Sequence, residues 1–272
     1  MTAAFARIVA AAFWAVSVWT LWAWWANRLA DAPGADVAAW AAFAAFAVVL
    51  WRRAGRAAVA RRIPLWKLLS AAALLFVFHA VRGAVAPTAS GVIAVLAGVP
   101  LLLPEEGDGG GSLPPLPMVA LALLGLPTAM IADLVLGFPL RLVAVRASAW
   151  LLSSAGWDVA AEGSGLSVGG VAVWVDAPCA GVRMLGAGLV LAFSLAQAFR
   201  LRAARSAALA VAAVAAVVVA NVARVSVLVV FEAVGVHLSS AAHMAAGCLA
   251  MLLGAACCAF AALRLGRGRG TA

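Results

Sequence analysis

The sequence predicts an all-α polytopic membrane protein: about eight transmembrane helices, one interfacial amphipathic helix and a short extracytoplasmic β-hairpin. Three observations predict it. The 272 residues are 67% hydrophobic and only 11% charged, with a mean hydropathy of +1.11; a soluble domain so apolar could not cover its surface with polar groups. The apolar residues fall into about eight runs that approach the roughly 20 residues a bilayer span needs. The arginines gather in short clusters between those runs. That is the orientation pattern of a membrane protein, and it accounts for the net charge of +9 without nucleic acid. Long continuous runs without period-2 alternation exclude a β-barrel.

Taken in order, residues 5–26 form the first run, with Arg7 near its start and Trp14, Trp19, Trp22, Trp24 and Trp25 along it. A cleaved signal peptide has a shorter core and a small-residue cleavage site, so this run reads as a retained span. Residues 37–51 form a shorter second run. It ends at Arg52, Arg53 and Arg56, with Arg61 and Arg62 following, and this block assigns its loop to the cytoplasm. Residues 65–81 and 90–103 are the third and fourth spans, joined by a tight connection at Pro87. Residues 104–117, rich in Gly, Glu and Pro, read as a flexible linker. It divides an N-terminal transmembrane half, 1–103, from a C-terminal half, 118–272, that carries the chemistry.

The fifth span covers residues 118–136. In residues 139–155, Leu140, Val143, Ala147, Trp150 and Leu151 recur at helical spacing with Arg141 and Arg146 among them, the pattern of an amphipathic helix lying in the interface. Residues 156–175 carry turn residues at Gly163 and Ser164 and an alternation through Val171, Val173 and Val175. They read as one or two short hairpins outside the hydrocarbon, because an open sheet edge cannot face lipid. The sixth span, 179–199, is closed by Arg200, Arg202 and Arg205. The seventh, 207–232, embeds Asn221 and Arg224. A loop through Gly235 and His237 leads to the eighth, 241–263, and an arginine-rich tail. Eight spans with both termini inside put every arginine cluster in the cytoplasm.

That topology places chemistry at one depth. Cys179 opens the sixth span at the outer face, following Asp176, a candidate cap, and Pro178, suited to the first helical position. The positive end of the helix dipole there favours the thiolate, the nucleophilic form. At about 1.5 Å per residue, Arg224 lies roughly 27 Å from Ser206 at the cytoplasmic start of its span, close to the outer face. His243 begins the last span, also outside. A thiolate attacks a carbonyl, a histidine shuttles the proton, and an arginine stabilises an oxyanion or grips a carboxylate. An arginine within a span is a functional candidate by default. Asn221, one turn before Arg224 on the same face, is placed to hold the guanidinium or a substrate backbone. Arg183, one turn after Cys179, is a secondary candidate for assisting the thiol or the substrate.

Three motifs thus stand in order: Pro178-Cys179-Ala180-Gly181-Val182-Arg183, Asn221-Val222-Ala223-Arg224-Val225, and His243-Met244-Ala245-Ala246-Gly247. Together they resemble the exosortase/archaeosortase family, whose pattern is a cysteine in a C-S-G-like motif, an N-x-x-R and an H-x-x-x-G. The resemblance covers roughly residues 118–263; Ala180 departs from it, standing where the family often has serine. It implies a membrane cysteine transpeptidase acting on exported proteins that end in a sorting signal: a short motif, a transmembrane helix and a basic cluster. In that reading Cys179 forms a thioester, His243 is the acid/base and Arg224 anchors the oxyanion or substrate, with Asn221 and Arg183 binding substrate. An amine or water then releases the product on the extracytoplasmic side of the cell membrane.

No cofactor or metal is expected, since no C-x-x-C pair is present, and Cys248, Cys257 and Cys258 sit in one apolar run as small hydrophobes. His237 is the competing histidine; His243 is preferred because Gly247, one turn later, allows close helix approach. His79 reads as structural. Asp133 and Asp176 are possible partners of Arg183 or Arg224. Two rival classes make different predictions. An anion transporter built around Arg224 calls for internal repeats or broken helices at the midplane, and the sequence suggests neither. A non-catalytic envelope or polysaccharide assembly factor leaves Cys179 dispensable.

Overall fold

A computed structural model of the protein describes residues 3–31, 37–57, 64–102, 115–126 and 129–267. The chain packs as two units, one formed by residues 1–128 with 196–203, the other by residues 129–195 with 204–272. Residues 104–114 of the expected linker lie outside the described residues, as do the last residues of the arginine-rich tail.

The first unit holds α1 (Ala3–Ser17), α2 (Trp19–Asp31), α3 (Val37–Ala57), α4 (Leu65–Val81), α5 (Pro87–Leu102) and α6 (Pro115–Leu124). The first predicted span is not one helix: α1 and α2 meet at Val18 with a bend of 60°. The Trp22 indole donates to the Ala15 carbonyl at 3.1 Å, engaging the acceptor that the Trp19 N–H meets in an unbroken helix. Val18, fully buried, packs at the corner with Leu21, Leu75, Phe78, Ala94 and Ala97. The second run extends beyond residue 51 as helix, carrying Arg52, Arg53 and Arg56 on α3. Pro87 is the first residue of α5 rather than a linker, a position where its missing N–H costs nothing.

The second unit holds α7 (Ala129–Ser154), strands β1 (Val159–Glu162), β2 (Gly165–Val168) and β3 (Val171–Trp174), a 3-10 turn (Ala177–Ala180), α8 (Val182–Ala198), α9 (Ala203–Ala233) and α10 (Ser240–Arg267). The fifth span and the amphipathic helix are redrawn. Helix stops at Leu124, and α7 then runs unbroken through Pro139 to Ser154. Its apolar side chains are spread around the whole circumference, so it has no single wet face to lie in an interface.

The expected hairpins are present as an antiparallel meander, β1-β2-β3. Val159 pairs with Val168 and Val168 with Val171. Gly169 and Gly170, at φ +55° and +83°, make the two-residue turn between β2 and β3 that needs left-handed backbone at both places. One face of the sheet is apolar: Leu166, Val168 and Val175 pack with Ala144, Val145 and Leu152 of α7 and with Val225 and Val229 of α9. The sheet therefore seats the chain just before Cys179 on two long helices.

Among the described residues, three helices are long and apolar enough to cross a membrane, at Ile131–Ser154, Ala203–Ala233 and Ser240–Arg267; the bent α1–α2 pair makes a fourth if counted as one span. The remaining apolar helices have 10–17 residues, and 17 residues rise only about 26 Å against roughly 30 Å of hydrocarbon. The chain is a mostly helical polytopic membrane protein with a small sheet. Of the eight expected spans, these three or four meet the length and composition of a full span among the described residues, with shorter apolar helices beside them.

Candidate active site

Cys179 does not stand in the first turn of the long helix. It lies in the 3-10 turn Ala177–Ala180, which Gly181 ends at φ +82° before α8 starts at Val182. Asp176 precedes the turn without a side-chain cap bond, and its carbonyl oxygen accepts the Cys179 N–H at 2.9 Å. Because the dipole effect fades within the first turn of a helix, the expected field of α8 on the sulfur is weakened. A different group fixes the cysteine: the buried Asn221 side chain donates from Nδ2 to the Cys179 carbonyl oxygen at 2.9 Å. Gly181 makes this approach possible, since a Cβ there would lie 3.0 Å from Asn221 Cγ. Asn221 thus holds the cysteine's backbone rather than the Arg224 guanidinium; its Oδ1 and the Arg224 Nε are both buried without a partner.

A cleft of about 380 Å³ opens beside Cys179, bounded by β3 and the residues after it, by Val225, Leu228, Val229 and Glu232 of α9, and by His237 and His243. The structure therefore brings the predicted nucleophile and the predicted acid/base to one cavity. His243 sits in the first turn of α10, which Ser239 caps by accepting the Ala242 N–H at 3.3 Å. Its Nδ1 stands 3.3 Å from the Ser239 carbonyl oxygen. A carbonyl only accepts, so Nδ1 carries the hydrogen in this arrangement and Nε2 is the basic nitrogen.

Arg224 is half-buried and does not border the cleft. Its guanidinium packs on Gly247, where an added Cβ would stand 3.7 Å from Cζ and Nε. Gly247 is one turn of α10 from His243, so the N-x-x-R and H-x-x-x-G segments meet through the arginine and the glycine, with the imidazole one turn away. Arg224 makes no hydrogen bond or ion pair among the described residues. The possible acidic partners, Asp133 and Asp176, are exposed. Arg183 is exposed and stands outside the cleft lining. His79, also exposed, stacks edge-on against Phe78 in the other unit.

Glu232 and His237 are the wall residues that the sequence reading set aside. His237 Nδ1 lies 3.0 Å from Glu232 Oε2, and Glu232 Oε1 accepts the Leu238 N–H at 3.4 Å. Their signal was a lone carboxylate at the end of an apolar run with a histidine five residues on. No cluster of metal-binding side chains occurs among the described residues. A thiol and an imidazole on one cleft, with a guanidinium one helical turn from the imidazole and unpaired among the described residues, are groups that can carry acyl transfer through sulfur.

No curated protein and no solved structure matches the chain. The family model for transmembrane exosortases (Exosortase_EpsH), however, matches residues 7–260, which takes in both units and all three motifs. The half of the chain that resembled only generic membrane spans is thus covered with the rest, and the chain belongs to the transmembrane exosortase family.

Proposed function

We propose that this exosortase is a cysteine transpeptidase that cleaves the C-terminal sorting signal of exported proteins on the extracytoplasmic side of the cell membrane. The observation that carries the reading is that Cys179 and His243, from distant parts of the chain, border the same cleft. Asn221 fixes the turn bearing the cysteine, and Arg224 packs one turn from the histidine.

The chemistry follows from these groups. The Cys179 thiolate attacks the scissile carbonyl, and Arg224, which packs behind the cleft on Gly247 and makes no ion pair among the described residues, favours the negative charge that develops on oxygen through its field rather than by direct contact. His243 Nε2, having taken the thiol proton of Cys179, passes it to the departing amine, the C–N bond breaks, and the exported protein is left as a thioester on Cys179. An acceptor amine or water then takes the acyl group. The membrane tail of the substrate reaches the site by lateral diffusion, and its basic cluster remains on the opposite side.

The transporter reading gains one feature, the broken helix at Val18. The cavity beside it, however, is lined almost entirely by apolar groups, Trp14, Leu21, Trp22 and Phe43 among them, which suits an ion poorly. The decisive experiment replaces Cys179 by Ala and by Ser in cells making a tagged substrate with a sorting tail. Loss of the shortened product in both variants is expected; unchanged processing in both rejects the enzyme reading and leaves an assembly role.

A further inference from the structure

The cleft holds two histidines, and the second differs from His243 in its partner. His237 shares a hydrogen bond with a carboxylate, Glu232 Oε2 at 3.0 Å, whereas His243 has only a carbonyl of its own cap. Among the described residues of the wall Glu232 is the one acidic group, amid Val225, Leu228 and Val229 on the same helix. Its side chain is 27% exposed while that of His237 is 88% exposed, so the pair grades from the interior of the cleft to solvent. A carboxylate that orients a histidine within a nucleophile's cavity is the arrangement of a general base. A carboxylate in an apolar wall also attracts a cation more strongly than it would in water.

We propose that Glu232 and His237 form the acceptor site, which takes a primary ammonium group and converts it to the attacking amine. This rests on the thioester reading above and assigns the second half of the reaction to its own residues. The steps balance. The ammonium gives one proton to His237 Nε2, the ring nitrogen left when Nδ1 faces Glu232, and the imidazolium formed is compensated by that carboxylate. The freed amine attacks the thioester carbonyl, a C–N bond forms and the C–S bond breaks. The second proton on nitrogen passes through His243 to the departing Cys179 sulfur, which ends as the thiol. The exposed His237 then loses its proton to solvent. His237 is a catalytic residue in this step, and Glu232 binds the cation and positions the imidazole.

The test is a competition within one reaction. The full-length protein in liposomes receives a tagged substrate with a sorting tail, together with ethanolamine, cationic at neutral pH, and hydroxylamine, which is uncharged and needs no proton removed before attack. Mass spectrometry reads the ratio of ethanolamide to hydroxamate. Glu232→Gln and His237→Gln are each expected to lower that ratio by about tenfold, the scale of one charge-assisted hydrogen bond or a modest part of general-base catalysis. Glu232→Asp restores part of it. A defect of folding or of thioester formation lowers both products together and leaves the ratio alone, so an unchanged ratio in both glutamine variants overturns the proposal. Should Glu232→Gln fail to fold, the solvent-facing His237→Gln decides. If the wild-type protein releases no tail at all, the transpeptidase reading itself has failed, a result distinct from an unmoved ratio.

Discussion

Asn221 shows how much one side chain can govern here. Its Nδ2 is the group that meets the Cys179 carbonyl, and it is 4% exposed, so water cannot replace it. Asn221→Ala leaves that carbonyl without its donor, a loss of about 1–3 kcal/mol in stability. It also frees the turn carrying the nucleophile, and misplacement on the ångström scale costs up to about a hundredfold in rate. A lowered melting temperature together with a larger fall in tail release is expected; full turnover would show that the turn holds itself. Gly247 offers a graded counterpart. A Cβ there stands at ordinary contact distance from Arg224, so Gly247→Ala is expected to process substrate nearly as wild type. Gly247→Leu needs the space the guanidinium occupies and is expected to abolish turnover while the protein remains in the membrane. Equal activity of the two would remove Arg224's packing from the mechanism.

Elements were legible where one local rule acted alone. The turn residues Gly163 and Ser164 and the alternating valines of residues 171–175 announced the hairpins, and the three motifs announced the residues that gather around the cleft. Breaks in helices were hidden, because they arise from contacts across the sequence. Trp22 bonds Ala15 while Val18 packs against α4 and α5, and nothing in the run of residues 5–26 signals a corner. The boundary drawn at residue 139 erred in the other direction: α7 stays helical past Pro139, which removes one backbone bond, and Ala144, Val145 and Leu152 beyond it pack in the core. Gly181 concealed the fact that Cys179 precedes its helix by a separate turn, since Pro178 alone fits either geometry. Glycine also sets the distance between α8 and α9. A Cβ at Gly188 would fall 2.7 Å from Val217 Cγ2, so Gly188→Val is overpacked and is expected to lose about 1–3 kcal/mol. Adding Val217→Ala removes the obstructing methyl groups and should recover part of the loss. A double mutant no more stable than the sum of the two single changes would deny that these residues set the spacing.

At the scale of the whole molecule, the question is which side of the membrane receives the cleft, and the length and charge of the long helices lead to a testable expectation. Arg205, near the start of α9, donates to the Leu265 carbonyl oxygen close to the end of α10, where Arg264 and Arg267 also lie. Arg200 and Arg202 follow α8 directly in the chain. One end of these helices is therefore basic. The cleft gathers the opposite ends: the turn before α8, Glu232 at the close of α9 and His243 at the opening of α10. From Arg205 to Glu232 along α9 is about 40 Å, more than the roughly 30 Å of hydrocarbon, so the helix is long enough to put its two ends on opposite sides of the bilayer. We propose that the arginines stay inside and that the cleft faces outward. A protein with Cys248, Cys257 and Cys258 replaced by alanine keeps Cys179 as its one thiol and is expected to retain turnover, because none of the three borders the cleft. In intact cells a membrane-impermeant maleimide should label it, and Cys179→Ala in the same background should abolish the label. Labelling that appears only after the membrane is opened would turn the cleft to the cytoplasm and leave exported proteins beyond its reach.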